Sequence, residues 1–190
     1  MDGPENVYEI PQGLPEPEDD GACDHLPGMR MPSVSLTSTA GDAVDLSTLT
    51  GTTVVYCYPL TGRPDQDLPP GWDDIPGARG CTPQSCAFRD HHVELKELGA
   101  RVFGLSSQDT AYQREAARRL HLPFLLLSDE KLEFARALGL PTFEAGGMLL
   151  IRRVTLIMEE GEIKHVFYPV FPPGRNAEEV VRWLSERSTG

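Results

Sequence analysis

Residues 52–58 read Thr-Thr-Val-Val-Tyr-Cys-Tyr, and Pro59 ends the run. β-Branched and aromatic side chains favour extended backbone, and so continuous an apolar run fits a buried central strand. Cys57 lies inside it and reads as a small buried hydrophobe rather than a reactive thiol. A regular alternation follows. A helix over about 83–98 precedes an apolar strand from Val102 to Ser106. A second helix, with Asp109 as its N-cap, runs to about Leu120, and Phe124 to Leu127 is a short strand. Lys131 to Leu138 is a helix that Gly139 terminates. Strands over about 152–158 and 162–168 join across Glu159-Glu160-Gly161 as a hairpin, and the last helix begins near Asn176. Ahead of the central strand, Val34 to Leu36 and Val44 to Leu46 flank a turn-rich segment and form another hairpin. Such an order implies an α/β fold, a mixed central sheet flanked by helices. Met148, beside Gly146-Gly147, reads as loop or pocket-edge packing.

The chemistry concentrates in Gly80 to Asp90, Gly-Cys-Thr-Pro-Gln-Ser-Cys-Ala-Phe-Arg-Asp. Pro83 suits only the first turn of a helix, where its missing N–H would have no partner anyway. Cys81 therefore falls at or just before a helix N-terminus, where free backbone N–H groups and the helix dipole favour an anion. A thiol held there gives up its proton more readily than a free one, and the thiolate is the nucleophile. In a regular helix, residues i and i+5 have Cα atoms about 8.7 Å apart and point about 140° apart. A disulfide needs roughly 7 Å or less. Cys81 and Cys86 cannot bond while the helix is intact, but can once its first turns unwind. Residues 60–80, with four prolines, four glycines and Trp72, read as an unstructured insertion that ends at Cys81 and forms a wall or lid of its site.

Charge bounds the rest. The chain of 190 residues carries −12, which disfavours nucleic acid and anionic membranes as partners. Eight of the acidic residues and no Lys or Arg lie in residues 1–27, together with five prolines. This stretch reads as an extended or disordered acidic arm along the surface of a domain spanning 28–190, and Cys23 within it as an exposed thiol. No run approaches 18 apolar residues, and the N-terminus lacks the basic and apolar regions of a signal peptide. A cytoplasmic protein with reduced thiols is the expectation.

A strand ending in Tyr58-Pro59, then Gly-Cys-Thr-x-x-x-Cys-x-Phe-Arg-Asp, then Arg153-Val-Thr-Leu-Ile before a Glu-Glu-Gly hairpin, resembles the peroxiredoxins. Specifically it resembles their Q-type, or bacterioferritin-comigratory-protein, subfamily, over about residues 30–187. The resemblance implies a thioredoxin-like fold, Cys81 as peroxidatic cysteine, Cys86 as resolving cysteine, and Arg153 beside the thiolate. Arg152 is the alternative to Arg153, but strand alternation would put it on the opposite face. Pro59, Thr61, Gly80 and Thr82 are the expected pocket residues. The family motif Pro-x-x-x-Thr-x-x-Cys is broken here: Cys81 follows Pro59 by 22 residues, and Ala78 stands at the threonine's position. Thr61 folding back, a backbone group or Arg79 would supply the missing hydrogen bond. The implied activity is reduction of hydrogen peroxide and small organic hydroperoxides, through a Cys81 sulfenic acid, a Cys81–Cys86 disulfide and recycling by thioredoxin or a similar dithiol. A monomer without cofactor or metal is implied. Two rival readings are a thiol–disulfide oxidoreductase, whose Cys-x-x-Cys is absent, and a metal module using Cys81, Cys86 and His91 or His92. A peroxide sensor would share the first oxidation step.

Overall fold

The structure is a computed structural model that describes residues 8–188. An interior strand, β3 (Thr52–Cys57), has neighbours on both edges in a seven-stranded sheet. To one side lie β4 (Ala100–Ser106) and β5 (Leu125–Ser128), both parallel steps, then β1 (Ser35–Ser38) and β2 (Ala43–Asp45). To the other lie the antiparallel hairpin β8 (Val154–Glu159) and β9 (Glu162–Phe167). The mixed sheet is flanked by helices α1 (Cys81–Asp90), α2 (His92–Glu97), α3 (Thr110–Arg119), α4 (Glu133–Leu138) and α5 (Asn176–Ser188), an α/β thioredoxin-like architecture.

The period of two along each strand sorts the core into two layers. Val55, Cys57, Phe103, Leu105, Leu127 and Leu156 face α4, where Phe134 and Leu138 meet them. Val54, Tyr56, Val102, Leu126 and Ile157 face Phe88 of α1, Leu95 of α2, and Ala177, Val180 and Leu184 of α5. Gly104 has a definite reason to be glycine: a Cβ there would stand 2.7 Å from the Tyr56 ring and 2.5 Å from Leu126. The ring that occupies this space stacks on Phe88 at 4.6 Å, and Tyr56 and Ser85 share a hydroxyl hydrogen bond of 3.0 Å. Full burial of Phe88 contributes about 1.5–3 kcal/mol. It anchors the far end of α1, whereas the first turn is held mainly by polar bonds.

The structure departs from the sequence expectations in several places. The single helix expected over 83–98 is broken at His91, which leaves helical dihedrals (φ −97°, ψ 7°) and bonds Glu94 at 2.9 Å. Residues expected as loop form a further hairpin, β6 (Thr142–Ala145) and β7 (Met148–Ile151), turned by Gly146 and Gly147 with φ of 56° and 75°. The insertion at 60–80 is not structureless: Trp72 opens a short 3-10 turn and packs with Ala78, Ala145 and Leu150 in a satellite core. Residues 1–7 of the acidic segment lie outside the described residues. From Cys23 onward that segment enters the core, since Cys23 is 4% exposed and Leu26 fully buried. The reading of Cys23 as exposed is thereby corrected: apolar side chains scattered among acids reach the α4 layer without any periodic signal. Burial, then the carboxylates Asp20, Asp19 and Asp24, push the Cys23 thiol up to about 12. Burial pushes Cys57 up as well.

Candidate active site

Gly80 sets the geometry at the start of α1. Its φ of 115° is open to glycine, and a Cβ would stand 2.8 Å from Pro173. The chain thus turns sharply and begins α1 at Cys81, with the connection before α5 packed against the turn. Cys81 is 3% exposed. Its sulfur, on the first residue of α1, meets one guanidinium and one backbone carbonyl. Arg153 Nη2 donates to Sγ at 3.1 Å and to the Ala78 carbonyl at 2.9 Å. Nη1 donates to Gln84 Oε1 at 2.6 Å, and Nε to the Gly77 carbonyl at 3.3 Å. A planar fork with four of its five N–H donors engaged in this way is fixed in orientation, and it favours negative charge on the sulfur.

Arg153 reaches this position from the link between β7 and β8, because β8 begins at Val154 rather than about 152. Arg152, its neighbour, instead lies over the Phe143 ring at 5.3 Å. At the position of the missing threonine the Ala78 carbonyl accepts from the Cys81 thiol at 3.8 Å, so it does not replace the threonine as a donor to the sulfur. Thr61 does not fold back. Its hydroxyl donates to Gln108 Oε1 at 3.2 Å, and its carbonyl accepts from Tyr112 Oη at 2.9 Å. Arg79 pairs with Asp73 at 3.2 Å and lines the space before the sulfur.

That space is small, about 10 Å³, enough for one water. Leu60, Gly62, Leu68, Trp72, Gly80 and Thr82 also line it, so the insertion supplies most of its wall. The Thr82 hydroxyl is buried with no hydrogen-bond partner among the described residues. Pro59 belongs to a second cavity of about 380 Å³ behind Arg153, which Phe143, Arg152 and the acidic segment at Glu16 to Asp20 also border. Expected together as one pocket, Pro59, Thr61, Gly80 and Thr82 are thus divided: Gly80 and Thr82 face the sulfur, while Pro59 and Thr61 do not.

Cys86 lies within the intact α1 and is half-buried; both it and Cys81 are free thiols. Burial pushes the Cys86 thiol up, partly offset by Arg89. His91 bonds Glu94, and His92 packs near Phe124 at 6.1 Å, so neither ring is engaged with the cysteines. Sequence reasoning missed Gln84, although its place three residues after Cys81 puts the two on neighbouring positions of one helix face.

A thioredoxin-like sheet that holds a cysteine at a helix N-terminus against a buried guanidinium defines a thiol-based redox protein. The sequence model of the Redoxin family matches residues 26–181. Peroxiredoxin Q of Oryza sativa subsp. japonica, a chloroplastic protein, is 33% identical over 158 residues, 83% of this chain and 65% of its own length. Peroxiredoxin Q of Sedum lineare, also chloroplastic, is 32% identical over 83% of this chain and 76% of its own. In fold, the bacterioferritin comigratory protein of Xanthomonas campestris, described for its alkyl peroxide reduction activity, is similar with a TM-score of 0.66 at 21% identity, covering 84% of this chain and 98% of that one. The chain belongs to the redoxin family, and within it to the Q-type peroxiredoxins. It spans slightly less than two thirds of the rice relative's length.

Proposed function

We propose that this chain is a thiol peroxidase that reduces hydrogen peroxide and small organic hydroperoxides. One observation carries the reading: the Cys81 sulfur, at the start of α1, accepts a hydrogen bond from a guanidinium held by three other acceptors. The Cys81 thiolate attacks one peroxide oxygen, the O–O bond breaks, and the electron pair leaves on the distal oxygen. That oxygen takes a proton to become water or an alcohol, and Cys81 is left as a sulfenic acid. Arg153 and the N–H groups of the first turn stabilise the developing negative charge. Membership of the Q-type peroxiredoxins supports this chemistry, and the Xanthomonas relative's alkyl peroxide activity supports an organic substrate.

The finer steps belong to the same proposal. The first turns of α1 unwind, and the Cys86 thiol attacks the sulfenic sulfur, releasing water and forming the Cys81–Cys86 disulfide. Thioredoxin or a similar dithiol then reduces that bond and is itself oxidised. The enzyme works as a monomer in a reducing compartment such as the cytoplasm. Cys81→Ser is expected to abolish peroxide consumption. Cys86→Ser keeps one oxidation per chain but loses thioredoxin-linked turnover; normal turnover of that variant would remove the resolving role from Cys86.

A further inference from the structure

Behind Arg153 lies a buried polar chain that the sequence reading did not touch. Gln84 Oε1 accepts from Arg153, while Gln84 Nε2 donates to Asn176 Oδ1 at 3.1 Å. The same Asn176 oxygen accepts from Thr155 Oγ1 at 2.7 Å. Gln84, Thr155 and Asn176 are all fully buried. Asn176 Nδ2 has no hydrogen-bond partner among the described residues.

Two features make this more than packing. A primary amide has a donor end and an acceptor end, and arginine can only donate. Gln84 serves Arg153 in one orientation alone, with Oε1 forward and Nε2 pointing back. Asn176 Oδ1 is what receives that rear end. Without it, Nε2 would sit unsatisfied in the core, and the side chain would gain by swinging away. Asn176 also occupies its place at a cost, since an unpartnered buried N–H is unfavourable by about 1–3 kcal/mol. An apolar residue of similar size would fill the first turn of α5 without it.

We infer that Asn176 is a positioning residue for the reactive thiol, acting through Gln84 on Arg153 and through Arg153 on Cys81. Its bearing on catalysis rests on the peroxidase reading above. The chain of contacts joins the first turn of α5 to the first turn of α1. It therefore also opposes the unwinding that brings Cys86 to Cys81: when Gln84 leaves with α1, its bonds to Asn176 and Arg153 break together. Asn176 thus favours the attacking geometry over the resolving one.

The test compares Asn176→Leu, Gln84→Met and the double variant, all in full-length chain carrying Cys86→Ser. The rate of Cys81 alkylation by iodoacetamide is followed against pH, with mass mapping of the site and thermal denaturation to confirm folding. Alkylation needs no peroxide, so failure of the peroxidase reading would leave this comparison intact. Asn176→Leu is expected to slow alkylation at neutral pH about tenfold, the worth of one hydrogen bond to a charged group, and to move the profile to higher pH. Added to Gln84→Met, it should change the rate by less than about twofold, because the relay is already cut. An unchanged profile in folded Asn176→Leu, or effects that add independently, would overturn the inference. If Asn176→Leu does not fold, Asn176→Ala replaces it and is read by the same two outcomes.

Discussion

Trp72→Ala tests whether the insertion gates the site. Trp72 is 3% exposed, and its neighbours are Ala78, Ala145, Leu150 and Phe143, the last ring 6.0 Å away. All belong to the insertion or to β6 and β7, outside the two layers on the main sheet. Truncating a buried Trp costs about 3–5 kcal/mol. Here the loss falls on docking of the insertion rather than on the global fold. Easing that docking by about 3 kcal/mol raises the open population by about 10²-fold. The space of about 10 Å³ before the sulfur leaves no room for the organic body of a bulky hydroperoxide. Access should therefore limit bulky substrates most. Stopped-flow measurement of kcat/KM is expected to rise about tenfold or more for cumene hydroperoxide and to stay within about threefold for hydrogen peroxide. Limited proteolysis within 60–80 should quicken in parallel. A parallel fall for both substrates, with cooperative unfolding at lower temperature, would refute the reasoning by showing that Trp72 supports the whole fold. Equal rates in both proteins would show that the insertion does not control entry.

Two other consequences can be measured directly. Arg153→Lys keeps the charge, but a single ammonium cannot reproduce the fork that reaches Sγ, Ala78, Gly77 and Gln84, so peroxide oxidation of Cys81 should slow about 10–100-fold in stopped flow; a rate within about twofold of the parent would show that charge alone suffices. The buried Cys23 thiol is raised from 9.0 to about 12, so the folded state keeps its proton where the unfolded state loses it. Its contribution to stability is complete below about pH 9 and is lost as pH rises toward 12. Denaturant midpoints should fall less steeply between those values in Cys23→Ala than in the parent, and equal slopes would contradict the assignment.

The parts of the fold legible in the sequence are those where local signals and burial agree. β3 is continuous in β-branched and aromatic residues, Asp109 caps α3 by accepting from Tyr112 N, and Gly139 closes α4 at φ 64°. β6 and β7 were not legible, because Met148 and Leu149 are exposed and the hairpin's apolar side waits for Trp72 from a distant segment. Of the site, the helix start and the cysteine spacing nominate Cys81 and Cys86, whereas Arg153 came from the family resemblance. Gln84 was open to reading from helix spacing alone. Asn176 was not, since it meets Gln84 across 92 residues, and only the packing of α5 on α1 brings them together. Thr61 was misplaced for the converse reason: Gln108 and Tyr112, on the β4–α3 side, hold it away from the sulfur.

The most direct measurement is a hydrogen peroxide titration of full-length Cys86→Ser with a sulfenic-acid trap and mass mapping of all remaining cysteines. The account predicts one trapped sulfenic acid per chain, at Cys81, with Cys23 and Cys57 untouched until the protein unfolds. A Cys81 that stays unmodified while the protein is folded, or oxidation that begins at Cys23 or Cys57, would contradict it.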